Sequence, residues 1–347
     1  MPREALPRLD THPEIRERLL PFCRLTTGEV WHDTVHGHRV GVLDATDPEA
    51  VAELTTGTRY ELSMHDPPYD MGTGGSQRGG WSSGSYIDFS RSWIENALAT
   101  LAENAHFYVW TGADQSGGFY PLPELLLLLR EFPELRSRSM ITLRNQRGYG
   151  TQKNWMAVRQ ELLYYTRGNP PFRVQYTEIP RVLRGYYKEI AGTRTENAAR
   201  NRSPFIRPGN VWVDLQQVFY RLEENMAGAY AQKPLAAAQR IISSARTAGP
   251  VLDLFAHSGT SLLAAETMGV ACHTADIDPV FAEMSIRRLE HYRKTGATGH
   301  QWHSPFPELN ANAGDGDAGD GGERGGPDGR GGASETGESH RSHNDIS

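Results

Sequence analysis

The segment from Val251 to Asp276 constrains the fold more than any other part of the chain. An apolar run at 251–255 leads through a turn at 256–260 into a helical pattern that reaches Met268, and a second apolar run ends at Asp276. Two buried strands joined by one helix pair in parallel, because the helix must cross a face of the sheet. Further apolar runs at 59–64, 106–110, 139–144 and 161–166 alternate with helical patterns at 86–104 and 122–132. We therefore predict an α/β fold with a doubly wound, mostly parallel sheet.

The turn at 256–260 has the composition of a ligand site. In doubly wound sheets, such a turn and the helix that follows it bind nucleotide-like molecules. Only Gly259 of a Gly-x-Gly-x-x-Gly pattern is present, which disfavours a pyrophosphate and favours an adenosine-bearing ligand without one. Asp276 is placed to accept hydrogen bonds from ribose hydroxyls. An ordinary tight turn between a strand and a helix is the alternative.

The tetrapeptide Asp66-Pro67-Pro68-Tyr69 follows the apolar run at 59–64. Two prolines cannot continue a central strand, so the tetrapeptide is expected at the strand's carboxyl end. There, the Asp66 carboxylate and the Pro67 carbonyl can accept the two N–H groups of one exocyclic amine and return electron density to its nitrogen. Tyr69 offers a flat face on which a base can stack. The alternative is a strand terminator with a solvated Asp and a packed Tyr.

These segments resemble the motifs of the amino-group DNA methyltransferases. Residues 251–269, followed by Asp276-Ile277-Asp278-Pro279, resemble the motif that binds S-adenosylmethionine, and the tetrapeptide at Asp66 resembles the catalytic motif. Gln232-Lys233-Pro234-Leu235 resembles a further cofactor motif, and Leu43-Asp44-Ala45 resembles the segment whose acid contacts the cofactor's adenosine. Residues 147–155 and 161–166 resemble the region between the main motifs. The catalytic motif precedes the cofactor motif, which is the order of the circularly permuted β class. The similarity covers about residues 35–295.

The resemblance implies a Rossmann-like fold with permuted motif order and S-adenosyl-L-methionine as cofactor. It implies methyl transfer to the exocyclic amine of a base flipped out of double-stranded DNA. The implied catalytic residues are Asp66, Pro67, Pro68 and Tyr69. The implied cofactor-binding residues are Asp44, Lys233, Pro234, Asp253, Phe255, Ala256, Ser258, Gly259, Thr260, Asp276 and Asp278. His257 stands where the family often has glycine, and a side chain there can narrow the approach of the cofactor.

Several alternatives to one activity stay open. Aspartate at the first position of the tetrapeptide favours adenine N6, with cytosine N4 or an RNA base as the runner-up. Protein glutamine methyltransferases share the last three positions of the tetrapeptide, but that family has Asn at the first position and the unpermuted motif order. A DNA-binding regulatory module without catalysis is the alternative from another class, and the intact tetrapeptide argues against it. No metal is expected, because the histidines and cysteines lack metal-ligand spacing.

A basic segment is the strongest candidate for DNA recognition. Residues 171–210 carry eight basic and three acidic groups, whereas residues 1–306 as a whole are neutral. Arg181, Arg184 and Lys188 have helical spacing and are predicted to face DNA together. If they do not, Gln77 and Arg78 of the glycine-rich loop at 71–85 are the next candidates. A solvated basic face is the alternative.

The two ends of the chain complete the predicted organisation. Residues 1–306 are predicted as one catalytic domain that includes the recognition segment. Residues 307–347 are rich in Gly, Asp, Ser and Glu, with nine acids against three arginines, and are predicted to be disordered. Two cysteines, no secretory signal and no apolar run long enough to span a bilayer favour a cytoplasmic protein of prokaryotic or phage origin. A homodimer and a cognate restriction endonuclease are left open as partners.

Overall fold

The computed structural model describes residues 6–68, 83–112, 120–149, 155–180, 187–190, 193–196, 203–219, 222–300 and 304–311. The chain divides into a unit at Met1–Leu309 and a second at Asn310–Ser347, most of which lies outside the described residues. The strands are β1 (Val30–His32), β2 (Arg39–Val42), β3 (Tyr60–His65), β4 (Leu101–Thr111), β5 (Leu135–Tyr149), β6 (Ala157–Arg167), β7 (Tyr187–Ile190), β8 (Thr193–Glu196), β9 (Val211–Trp212), β10 (Val251–Asp253) and β11 (Cys272–Asp276). The helices are α1 (Pro13–Leu19), α2 (Pro48–Thr55), α3 (Ser83–Thr100), α4 (Pro121–Leu129), α5 (Leu235–Ala245), α6 (Thr260–Met268), α7 (Pro279–Thr295) and α8 (Glu308–Ala311), with a 3-10 turn at Leu20–Phe22.

Nine strands form the main sheet, in the order β1-β2-β11-β10-β3-β4-β6-β5-β9. The five strands from β2 to β4 in this order are parallel, whereas β6 runs antiparallel to both of its neighbours. The connection through α6 leads from β10 towards one edge, and the connection through α3 leads from β3 towards the other. The order therefore reverses between β10 and β3, which is where doubly wound sheets bind their ligands.

Helices cover both faces of this sheet. One buried cluster joins apolar residues of α5, α6 and α7 to alternate residues of the strands, such as Leu62 and Met64. A second cluster joins α2, α3 and α4 to the other strand face, which carries Phe107 and Val109. The predicted doubly wound α/β fold is confirmed, and its two cores follow from strands whose side chains alternate between two buried faces.

Helix starts agree with their sequence signals. Asp47 and Asp278 are the N-caps of α2 and α7, and each is followed by a proline at the first helical position. The Asp47 side chain accepts from the backbone N–H groups of Glu49 and Ala50. These bonds satisfy donors that the helix leaves unpaired, which is the role expected of an Asp-Pro pair at a helix start.

Residues 304–311 are described, Phe306 is fully buried, and Glu308 of α8 forms an ion pair with Arg287, so tertiary contacts extend to residue 308. One element differs from the sequence prediction. Lys188 lies on β7, which pairs antiparallel with β8, and not on the predicted helix. Residues 190, 193 and 195 are β-branched and favour strands, which outweighs the helical spacing of the basic groups.

Candidate active site

The catalytic and cofactor-type turns lie side by side. β3 and β10 are parallel neighbours, so Asp66, directly after β3, and Asp253, the last residue of β10, reach the same edge of the sheet. The backbone N–H of Leu254 donates to His65 Nδ1 at 3.2 Å and ties the two strand ends together. Between the turns is a cleft, lined by Met64, His65, Asp66, Trp110, Lys233, Ala238, Asp253, Phe255, Ala256, His257, Ser258, Thr260 and Ser261.

The Asp66 carboxylate is held by one of its two oxygens. Its Oδ2 accepts a hydrogen bond from Lys233 Nζ at 2.6 Å, and Lys233 is 7% exposed. Its Oδ1 is buried and has no hydrogen-bond partner among the described residues. Burial raises the pKa of Asp66, and the Lys233 charge opposes that rise. Pro67 is buried and Pro68 exposed, and Tyr69 lies outside the described residues.

At the cofactor-type turn, the carboxyl oxygens of the acids accept hydrogen bonds from backbone N–H groups. Asp253 Oδ1 accepts from Phe255 N at 3.0 Å. Asp276 accepts from His257 N at 2.8 Å through Oδ2 and from Asp278 N at 3.0 Å through Oδ1. Burial raises the pKa of Asp253 to about 8 and that of Asp276 to about 7, and neighbouring carboxylates add to both shifts. These carboxyl groups fix the shape of the turn.

Gly259 and His257 both have a left-handed backbone. Gly259 has φ 74°, and a Cβ there would stand 2.9 Å from Cα and Cβ of Ser285 on α7, so only glycine fits. His257 has φ 45°, a conformation that glycine adopts freely, and its ring packs on Phe281 at 4.8 Å between centroids. Burial lowers the pKa of His257 to about 4, so its imidazole is neutral near pH 7. The turn keeps its glycine-like path although the side chain also lines the cleft.

Arg288 is an anchoring residue that sequence reasoning missed. It is fully buried on α7 and donates from Nη1 to Ser258 O at 2.9 Å and from Nη2 to Glu224 O at 3.1 Å. Thr260 Oγ1 donates to Lys233 O at 3.3 Å, so the turn is tied to the segment before α5 as well. The available signal was an arginine on the otherwise apolar face of an amphipathic helix.

The remaining predicted residues divide into those near the site and those outside the described part. Asp44 follows β2, and Leu43 N donates to Asp276 O at 3.0 Å, so the two acids lie at neighbouring strand ends. Pro234 is the N-cap of α5, and Phe255, Ala256, Ser258 and Thr260 line the cleft. Gln77, Arg78, Arg181 and Arg184 lie outside the described residues, and only the backbone of Lys188 is described.

One cluster, outside the cleft, has the composition of a metal site. His36, His38 and Glu266 bring three ligand-type atoms within 4.8 Å of one another. Cys272 N donates to His38 Nδ1 at 2.9 Å, so the proton of this neutral imidazole is on Nε2, which lies 2.8 Å from Glu266 Oε2. Arg293 also pairs with Glu266. A protonated Nε2 cannot bind a metal, so the cluster is an ion-pair and hydrogen-bond network.

A doubly wound sheet with two ligand-type turns at its switch point defines an α/β enzyme built around a nucleotide-like cofactor. The chain belongs to the DNA methylase family of adenine-N6 and cytosine-N4 methyltransferases, whose family model matches residues 60–287. The family depends on S-adenosylmethionine and acts on double-stranded DNA, so the predicted family and cofactor are confirmed. Among the described residues, no helix has the length and apolarity to cross a membrane.

The sequence identities between this chain and individual relatives are low. The Type II methyltransferase M.HpaI of Haemophilus parainfluenzae is 26% identical over 232 residues, covering 66% of this chain and 68% of that protein. The Type II methyltransferase M.ScaI of Streptomyces caespitosus is 22% identical over 239 residues, covering 67% and 75%. Among solved structures, the cytosine-N4-specific PvuII DNA methyltransferase matches with a TM-score of 0.49 and 15% identity, over 71% of this chain and 84% of that one.

Proposed function

We propose that this chain methylates the N6 amine of adenine at a specific site in double-stranded DNA. The observation that carries the proposal is Asp66, a carboxylate at the end of a central strand with one oxygen buried and unpartnered among the described residues. Asp66 begins the Asp-Pro-Pro-Tyr tetrapeptide, in which aspartate favours adenine. An exocyclic amine can donate to this oxygen, which increases the electron density on its nitrogen.

The cleft residues also fit the cofactor. Asp276 is a buried carboxyl whose pKa is raised to about 7, and the bonds described for each oxygen come from a single backbone N–H. The remaining lone pairs suit ribose hydroxyls, because further donors relieve the cost of burying a carboxylate. We assign Asp276 to the ribose and Asp44 to the adenosine end. We also assign the turn at Phe255, Ala256, Ser258, Gly259 and Thr260 to the cofactor, with Asp253 and Asp278 shaping it.

Catalysis then depends on orientation and polarisation. A base in a duplex must first be flipped out of the stack, and Tyr69 offers a face against which it can rest. Asp66 Oδ1 and the Pro67 carbonyl accept the two N–H groups of the amine and direct its lone pair into the cleft. When bound, S-adenosylmethionine would supply an electrophilic methyl group to this nitrogen, and the electron pair of the broken carbon–sulfur bond would stay on its sulfur. Asp66 accepts the N–H proton that the methylated nitrogen loses and passes it to solvent.

The identity of the methylated base tests this proposal. Purified protein is incubated with tritiated S-adenosylmethionine and unmethylated genomic DNA, and the DNA is digested to nucleosides and separated by chromatography. The label should elute with N6-methyl-2′-deoxyadenosine. Label in N4-methyl-2′-deoxycytidine would keep the same cleft chemistry and assign cytosine as the target. Label in neither nucleoside would contradict the proposal.

Recognition of the DNA site is assigned to the basic segment at 171–210. Alanine at Arg181, Arg184 and Lys188 should weaken binding to every sequence and lower the salt slope by about one unit for each lost phosphate contact. A base-contacting residue should instead cost about 1–3 kcal/mol at one position of the site. Affinity of the triple variant is measured across a salt series on cognate and scrambled duplexes. If the triple variant keeps the wild-type affinity and salt slope, recognition would be assigned to the loop with Gln77 and Arg78.

A further inference from the structure

Lys233 makes a contact that its resemblance to a cofactor motif does not account for. Its ammonium lies in the cleft, 2.6 Å from Asp66 Oδ2 and 5.5 Å from the centre of the Trp110 ring. The segment is fixed in place, because Thr260 Oγ1 donates to the Lys233 carbonyl and Pro234 caps α5. A lysine that is 7% exposed, backed by an aromatic wall and bonded to the catalytic acid, has little freedom to act elsewhere.

We propose that Lys233 is a positioning residue for methyl transfer: it holds Asp66 through Oδ2 and keeps the carboxylate ionised, so that Oδ1 accepts the target amine. The inference rests on the proposed function, because it assigns a task to a neighbour of the proposed catalytic acid. It divides the carboxylate into one oxygen that binds the protein and one that binds the substrate. A buried acceptor without a partner costs free energy until a donor arrives, and an amine N–H is such a donor.

The charges around Asp66 show why a cation is needed there. The other titratable side chains lining the described cleft are His65, Asp253 and His257. Burial lowers the pKa of His65 to about 3 and of His257 to about 4, so both are neutral near pH 7. Asp253 bears either no charge or a negative one. Among the described residues that line the cleft, Lys233 is therefore the cation that opposes the effect of burial on Asp66.

A protonated Asp66 would fail in a specific way. The protonated carboxyl carries its own O–H donor, so it accepts less strongly and leaves the amine lone pair delocalised. Loss of the Lys233 charge should therefore raise the pH at which the enzyme becomes active. A lysine that served only the cofactor would change the affinity for S-adenosylmethionine and leave that pH unchanged.

The test is a pH series of the turnover rate for Lys233→Met, Lys233→Arg and wild type. Tritiated S-adenosylmethionine and unmethylated genomic DNA are both held at saturation, and cofactor affinity is measured separately by calorimetry. Arg240→Met is the matched control, because Arg240 lies on α5, the helix that follows Lys233, in a largely buried ion pair with Asp214 and does not line the cleft. Thermal unfolding confirms that each variant is folded, and Lys233→Gln replaces Lys233→Met if the latter is not.

We expect the acid limb of the rate profile to move up by about one pH unit or more in Lys233→Met, which is a rate loss of about tenfold along that limb that disappears at high pH. Lys233→Arg and Arg240→Met should keep the wild-type acid limb. An unchanged acid limb in Lys233→Met, with weaker cofactor binding alone, would overturn the inference. Failure of the proposed function looks different: wild type would label no base, or Asp66→Ala would retain full activity.

Discussion

The two turns at the switch point of the sheet use carboxyl groups in opposite ways. After β3, Asp66 offers a buried oxygen with no partner among the described residues, and only its second oxygen binds Lys233. At the ends of β10 and β11, Asp253 and Asp276 accept hydrogen bonds from backbone N–H groups of the turns that follow these two strands. One turn presents a carboxylate to the cleft, whereas the other uses its carboxyl groups to hold a shape.

Resemblance to a motif therefore does not distinguish residues that act in catalysis from residues that hold the shape of the site. Both turns are recognisable in the sequence, and both carry acids at strand ends. We propose that the Asp66 carboxylate acts in the transition state, whereas the Asp253 carboxyl accepts a hydrogen bond from the backbone of its own turn. Substitutions in the first turn should therefore change rates, whereas those in the second should change cofactor affinity and stability.

The largest effect is expected for Asp66→Ala. Losing a charged acceptor that polarises the amine should cost about 2–4 kcal/mol of transition-state stabilisation, while cofactor binding persists. Methyl transfer to unmethylated genomic DNA and calorimetry with S-adenosylmethionine measure the two quantities. Wild-type turnover in this variant would remove Asp66 from the chemistry.

Asp276→Ala should mainly weaken cofactor binding. The ribose hydroxyls lose their acceptor and two turn N–H groups lose theirs, so we expect a loss of about 1–3 kcal/mol in binding free energy. Turnover at saturating cofactor should fall much less than in Asp66→Ala. Unchanged affinity by calorimetry would place the ribose contact on another residue.

Asp253→Asn should change how stability depends on pH. Burial raises the pKa of Asp253 to about 8, above its value in the unfolded chain. The stability contributed by this carboxyl is therefore fully present below about pH 4 and is lost as the pH rises towards 8. Asparagine does not titrate, so the variant should gain about 2 kcal/mol relative to wild type between about pH 6 and about pH 9. Denaturant unfolding at both pH values measures the gain, and a constant difference would show that Asp253 is not the titrating group.

The smallest expected effect is the difference in stability between alanine substitutions at two glycines that have similar backbone conformations. Gly259 and Gly269 have φ 74° and 69°, but a Cβ at Gly259 would meet Ser285, whereas a Cβ at Gly269 has nothing within 4 Å. Alanine at Gly269 should cost about 1 kcal/mol of stability from the left-handed backbone alone, and alanine at Gly259 should cost at least about 1 kcal/mol more. Thermal or denaturant unfolding of the two variants gives the difference. Equal costs would mean that α7 moves to accommodate the Cβ.

The sequence supports much of the fold because its signals are local. Apolar runs and the caps at Asp47 and Asp278 predict the core strands and the starts of α2 and α7. The short strand β1 went unpredicted, since three residues that are not fully buried carry little periodic signal. Lys188 was assigned to a helix although it lies on β7, because the helical spacing of the basic residues takes no account of the β-branched residues nearby.

The site was predictable as a set of motifs and not as a set of contacts. Neighbouring strand ends follow from the permuted order, which places Asp66 beside the turn at Gly259. The hydrogen bond from Lys233 to Asp66 joins residues 167 positions apart, and no local pattern encodes such a contact. The anchoring by Arg288 is equally non-local, since its acceptors lie 30 and 64 positions away.

The most direct test of the central claim compares Asp66→Asn with Asp253→Asn in single-turnover methyl transfer at saturating cofactor and DNA. Both substitutions keep the shape of the side chain and remove its ability to ionise. We expect a loss of about 10²–10³-fold for Asp66→Asn, the size expected for one lost transition-state interaction, and less than about tenfold for Asp253→Asn. Equal losses in both variants, or the larger loss at Asp253, would contradict the division of roles between the two turns.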